Sequence, residues 1–263
     1  FYGTGAMLAP LYVNALVKPE LLQSFALPYR FIGIAAAVIL IPLLILGKKL
    51  TPQTPYADMR EMRKRAKDNP AEVFRSAKAW LFLLAGVFYL IFQICLSSWL
   101  PSYCTERLKF DTDTAGLVLT AYFGGSLLMR FSSPFIFKKI SVEKYYIAAL
   151  TLSALVFGLC FALSPGKALM MCFIALGGFI QGAGIPALVI MCCDAFPQRT
   201  ASASSLTVLA VSISTFIVPV VMGRMIESLG YQVPMLAVTG CLLISVLIIS
   251  FAERRKSPLE LNN

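Results

Sequence analysis

An all-α protein, a polytopic bundle of helices embedded in a membrane, is expected on three grounds. Hydrophobic residues make up 58% of the 263 and charged ones only 14%, where a soluble domain carries about 25% charged residues. The apolar residues gather in eight runs, at about 1 to 17, 26 to 47, 80 to 103, 113 to 137, 145 to 163, 168 to 193, 204 to 226 and 233 to 251. All but the first hold roughly the 17 to 25 residues that a membrane-spanning helix needs. The third observation is that the basic residues lie almost wholly between these runs.

The longest polar stretch divides the chain. Residues 1–47 hold two apolar runs, 48–79 form a central basic loop, 80–251 hold six further runs, and 252–263 form a polar tail. The central loop carries Lys48, Lys49, Arg60, Arg63, Lys64, Arg65, Lys67, Arg75 and Lys78 against four acids, Asp58, Glu61, Asp68 and Glu72. Short loops rich in Lys and Arg resist translocation, so this loop is expected to stay in the cytoplasm and to orient the runs on either side. Alternation from it places 16 basic residues in inside loops and 4 outside, with Arg30, Arg130 and Arg224 within or beside spans. The expected location is the plasma (inner) membrane, multi-pass, with the C-terminus in the cytoplasm. Cys104, just past the third run, is expected to be accessible from outside.

Composition also excludes. A net charge of +10 does not point to nucleic acid, because the basic residues sit in loops between apolar runs rather than on a polar basic face. No histidine occurs, which removes the commonest general base and metal ligand. The 7 cysteines lie mostly in apolar runs without metal-ligand spacing, as small core residues do. No phosphate-binding Gly-x-x-x-x-Gly-Lys-Ser/Thr run is present. Neither a cofactor, a metal nor an enzymatic activity is expected.

The polar side chains inside the runs are unevenly shared. The second, fifth and eighth contain no Asn, Gln, Asp, Glu, Lys or Arg across 31–46, 145–163 and 233–251 and are expected to face lipid. The others carry Asn14, Gln93, Arg130 and Gln181, and the seventh carries Ser204, Ser205, Thr207, Ser212, Ser214 and Thr215. Polar groups in a bilayer must face protein or a water-filled cavity, so these runs are expected to line one. The first and seventh runs each hold a mid-span proline, Pro10 and Pro219, and each precedes a Tyr-led start of the next run, Tyr29 and Tyr231. The two helices before the loop thus pair with the last two, as in a parallel repeat of two six-helix halves.

Two helices, a long basic loop and six helices with every third one plain resemble a major facilitator superfamily transporter from its fifth helix onward. The run Tyr89 to Tyr103, YLIFQICLSSWLPSY, is similar to the seventh helix of fucose permease-type sugar porters. The run Gly125 to Arg130 resembles the Gly-x-x-x-Gly-Arg run of the eighth helix, with Met129 in place of the second glycine. Gly5 to Pro10 is similar to the Gly-x-x-x-Gly-Pro motif of drug-proton antiporters, with Ala9 in place of the second glycine. The resemblance implies eight transmembrane segments of a presumed twelve, in two pseudo-symmetric halves, with the first four helices of the protein missing from the chain. It implies a secondary active transporter of a small polar organic solute, of the sugar kind, working by alternating access.

Candidate site residues follow from spacing and position. Tyr89, Gln93 and Ser97 are four apart and fall within an arc of about 80° on one helix face, with Trp99 near its outer end and Tyr122 on the next run. An amide, phenols, a hydroxyl and an indole suit a neutral hydroxylated solute. Gln93 read more plainly bonds a neighbouring helix. In the sixth run Gly178 and Gly182 form a small-xxx-small pair suited to close helix contact, with Gln181 between them as a second candidate ligand. Pro186 cannot donate to the carbonyl of Gly182, so a bend suited to a gate is expected there, as also at Pro219. Arg130 is a deep charge that needs a partner. Asp194, resembling the charge latches at the inner gate of the superfamily, is one; an anionic substrate is the other.

The partners expected are therefore a small-molecule solute, the lipid bilayer and the missing helices of the same protein. Beside the transporter of a polar solute stand an organic-anion transporter with Arg130 as ligand, a drug exporter and a non-transporting membrane scaffold.

Overall fold

The computed structural model of the chain describes residues 70–197 and 199–254, together with 30, 32–34, 36–38 and 40–42. No strand occurs among the described residues. The chain divides into two compact units, Phe1–Leu8 with Pro70–Asn263, and Ala9–Asn69. In the second unit the described residues are helical and expose Ile32, Ile34, Val38, Leu40 and Ile41. The first apolar run with Asn14 and the Gly5-to-Pro10 stretch, the loop as far as Asn69 and the tail from residue 255 on lie outside the described residues.

The first unit is built of α1 (Pro70–Arg75), α2 (Ala77–Ser102), α3 (Thr112–Phe137), α4 (Val142–Leu163), α5 (Lys167–Gln181), α6 (Gly184–Ala195), α7 (Thr200–Leu229) and α8 (Gln232–Arg254). The end of the central loop is itself helical: α1 leads straight into α2, and Trp80 Nε1 donates back to the Phe74 carbonyl at 2.7 Å. At its far end α2 passes into a π-helical turn, Tyr103–Arg107. Cys104 is thereby turned into the bundle and is fully buried, which corrects the expectation that it is accessible.

Among the described residues, five helical stretches are long and apolar enough to cross a membrane: Ala77–Arg107, Val142–Leu163, Lys167–Ala195, Thr200–Leu229 and Gln232–Glu253. Helix α3 is not among them. Its 26 residues reach about 39 Å at a rise of 1.5 Å per residue, but Arg130 and the Thr, Ser and Gly residues along it dilute its apolar character. Asp111 caps its start, accepting from Thr114 N at 2.9 Å, a helix-end bond that satisfies one otherwise free amide. Short turns join the helices; Gly230, at φ 70°, makes the one between α7 and α8 in a conformation that a side chain disfavours.

Packing follows small residues and rings. Helix α3 lies on α5, α2 packs with α7 and α8, and α4 bridges the two groups through α5, α6 and α8. An added methyl on Gly182 would stand 2.5 Å from the Ser126 carbonyl oxygen and 2.9 Å from Met129 Cβ. One on Gly125 or Gly178 would strike the backbone of Ala175 or Tyr122. Such contact is what the Gly178–Gly182 spacing predicts. Phe92 and Phe157 meet at 5.0 Å between centroids and Tyr103 and Phe161 at 5.3 Å, filling the seam between α2 and α4.

The expected division into plain and lining helices is altered in two ways. The apolar runs α4 and α8 turn their few hydroxyls inward. Tyr146 donates to Ser245 at 2.9 Å, and Ser245 donates to the Ala85 carbonyl at 2.8 Å. On α7, by contrast, Ser204, Ser205, Ser212 and Thr215 each bond a carbonyl one turn back on the same helix. Such back-bonding satisfies a hydroxyl without a cavity. Only Thr207 and Ser214 of that set are buried, Ser214 donating to the Val87 carbonyl at 3.1 Å.

Candidate functional site

The sixth apolar run is broken rather than bent. Helix α5 ends at Gln181, Gly182 and Ala183 form a turn, and α6 begins at Gly184. Pro186 is the third residue of α6, where a proline is tolerated because amides of a first turn have no helical partner. Its missing N–H leaves the Gly182 carbonyl without a bond from the next turn. The break separates two packing groups, with α5 on α3 and α4, and α6 on α7 and α4.

A helix end in a bilayer presents carbonyls that water cannot reach, and each must be satisfied internally. Three side chains from three helices do so here. Tyr145 of α4 donates to the Ile180 carbonyl at 2.8 Å. Tyr89 of α2 approaches the Gln181 carbonyl at 3.5 Å, a long contact. Arg130 of α3 donates through Nε to the Gly182 carbonyl at 3.1 Å. The carbonyl end of a helix carries about half a negative charge, so a guanidinium is matched to it electrostatically. Gln181, only 1% exposed, donates from Nε2 to the Tyr122 hydroxyl at 2.8 Å, while its Oε1 is buried without a partner. Gly184 sits against the Tyr89 ring, and a methyl there would stand 2.7 Å from the phenol oxygen.

The family of this bundle of apolar helices is decided by a family model. The model of the Major Facilitator Superfamily matches residues 83–263. The chain belongs to this superfamily. Among curated proteins it is similar to "Protein TsgA homolog" of Buchnera aphidicola subsp. Acyrthosiphon pisum, in strains Tuc7, 5A and APS. The match to each is 19% identical over 237 residues, 90% of this chain and 58% of the relative. The chain thus spans 58% of the length of the curated relatives it matches.

Within this member of the superfamily the structure brings together Tyr89, Tyr122, Gln181 and Arg130 with the break at Pro186. The remaining expected residues stand apart from that cluster. Gln93 is half-buried and its Oε1 is shielded yet unbonded. Ser97 donates to its own helix at the Ile94 carbonyl, 3.0 Å away, and Trp99 packs half-buried on the core. Pro219 lies exposed in α7, which continues unbroken through it.

Arg130 and Asp194 do not form the expected latch in this structure. Asp194 is exposed near the end of α6 and takes part in no ion pair among the described residues. It lies twelve residues beyond Gly182, about 18 Å along a helix, whereas the freed carbonyl lies directly beside the guanidinium. Sequence reading missed Tyr145, the cap of the Ile180 carbonyl. Its signal was a tyrosine at the start of a run otherwise free of polar side chains.

At the opposite end of the bundle from Asp194, Lys167 at the start of α5 pairs with Asp111 at the start of α3. The Lys167 ammonium, with Thr114, holds the Asp111 carboxyl well below the usual carboxylate range. This contact ties the first turns of α3 and α5 together, as the glycine contacts do along their length.

Proposed function

We propose that the chain is the later part of a secondary active transporter that moves a small neutral, hydroxylated organic solute, of the sugar kind, across the plasma (inner) membrane by alternating access. The observation that carries this reading is the break between α5 and α6 in a superfamily member. It gives one helix two parts that share α4 but otherwise pack on different neighbours, α3 for one and α7 for the other, an arrangement suited to a gate. Half-helix ends at bilayer depth belong where solute sites and gates are built in transporters. The basic loops near α1, between α3 and α4 and between α6 and α7 support the cytoplasmic assignment of that end and of the C-terminus. Solute binding falls to the Gln93 face, with Ser97 and Trp99 beside it. A shielded, unbonded amide oxygen in a bilayer is costly until a donor reaches it, and a solute hydroxyl is such a donor. Arg130 as a ligand for an organic anion is less well supported, because its guanidinium already serves the Gly182 carbonyl.

The test is equilibrium counterflow of labelled sugars, polyols and organic anions by the whole protein in proteoliposomes. Neutral hydroxylated solutes exchange, and Gln93→Ala raises the half-saturating concentration about tenfold, as expected for losing one polar contact, with abundance unchanged. Gln181→Ala instead lowers abundance, because it removes the buried bond that Gln181 Nε2 donates to the Tyr122 hydroxyl between α5 and α3. Exchange of anions with none of neutral solutes sinks the solute class, and lost abundance in Gln93→Ala sinks the assignment of that residue.

A further inference from the structure

The oxygens that surround the end of α5 have a chemistry of their own. Within one turn stand the carbonyls of Ile180, Gln181 and Gly182, the buried and unbonded Oε1 of Gln181, and the phenol oxygens of Tyr89, Tyr122 and Tyr145. All are neutral hard donors at the negative end of a helix. Divalent cations such as calcium and magnesium are held chiefly by carboxylates, whereas unwound carbonyls and half-helix C-termini suit a monovalent cation. The cation present is the side chain of Arg130, with Nε 3.1 Å from the Gly182 carbonyl.

We propose that the break between α5 and α6 is a monovalent-cation site whose resident cation is the tethered guanidinium of Arg130, so that Arg130 is a positioning residue for the gate. Two features of the fold place it. Gly182 lets α3 approach until Ser126 and Met129 touch α5, which sets Arg130 one turn further along α3, level with the break. Pro186 withholds the amide that would otherwise occupy the Gly182 carbonyl, so that oxygen is reserved for the guanidinium. Charge alone does not fill such a site. A planar guanidinium offers several donors in fixed directions, which an ammonium does not. Removing the side chain takes its donor from the Gly182 carbonyl, and a free guanidinium ion offers the same planar donors in its place.

The experiment uses the whole protein in lipid nanodiscs and reads amide hydrogen exchange in peptides covering 178–190, with 147–160 of α4 as internal reference. Arg130→Ala and Arg130→Met speed exchange at the break about tenfold, as loss of a charged helix-end partner does, and leave the reference unchanged. Free guanidinium at tens of millimolar, above the millimolar effective concentration typical of a tethered group, returns exchange in both variants towards wild type. It does nothing to the wild type, and tetramethylammonium at equal ionic strength restores nothing. Arg130→Lys lies between wild type and Arg130→Ala. Unchanged exchange at the break in Arg130→Met overturns the proposal, as does equal rescue by tetramethylammonium. No solute enters the assay, so its failure is separable from failure of the transport reading.

Discussion

The contact between α3 and α5 is tight enough for a single methyl group to test the whole site. In Gly182→Ala the new Cβ would stand 2.5 Å from the Ser126 carbonyl oxygen, 2.7 Å from Ser126 Cα and 2.9 Å from Met129 Cβ, where ordinary contact begins at 3.4 Å. Two of these three neighbours are backbone atoms and cannot rotate away. Helix α3 must therefore retreat by about 0.9 Å, the difference between the two distances. That retreat stretches the Arg130 to Gly182 bond from 3.1 Å past the range of a hydrogen bond. Overpacking of this kind costs about 1–3 kcal/mol. Gly158 in α4 is the control, for its added methyl meets only Thr239 Oγ1 at 4.0 Å. Gly158→Ala should gain up to about 1 kcal/mol from helix propensity. Denaturant titration of the whole protein in mixed micelles should then separate the two variants by about 1–4 kcal/mol. If Gly182→Ala is as stable as Gly158→Ala to within about 0.5 kcal/mol, the close crossing of α3 and α5 is wrong and the placement of Arg130 falls with it.

Thiol labelling should follow burial rather than sequence position: Cys172 is exposed on α5 and Cys104 and Cys160 are buried, so N-ethylmaleimide in micelles should modify Cys172 first. Mass spectrometry showing Cys104 labelled as fast as Cys172 would contradict the inward turn at Tyr103–Arg107. The Asp111–Lys167 contact makes a prediction about pH. The Asp111 carboxyl is depressed below its unfolded value, so its stabilising effect is fully present above the unfolded carboxyl pKa of about 3.9 and is lost as pH falls towards the lower folded value. The melting-temperature deficit of Asp111→Asn should accordingly stay constant from about pH 8 to pH 5 and shrink only in stronger acid. A deficit that varies across the neutral range would mean that Asp111 is not the group responsible.

That this is a bundle of membrane helices, about where those from residue 77 on run, and where one of them yields could be read from the sequence. These are local properties. A bilayer requires every segment to satisfy its own backbone, so length and apolarity mark spans without knowledge of neighbours, and the basic loops set an expected orientation in the same local way. Pro186 and the Gly178–Gly182 pair likewise act through their own chain, the one by lacking an amide and the other by lacking side chains. The partners of the polar groups depend on how the helices pack. Arg130 could meet Asp194, an anion or a carbonyl, and the depth at which Gly182 lets α3 cross α5 selected the carbonyl. The hydroxyls of α7 suggested a lining, yet four of them close on their own helix. Tyr145, Tyr146 and Ser245 lie in runs that composition marks as plain, yet they cap or brace the interior. Composition counts polar atoms along a chain, while satisfaction depends on which faces the packed helices bring within about 3 Å of one another, and that is fixed by contact between helices far apart in sequence.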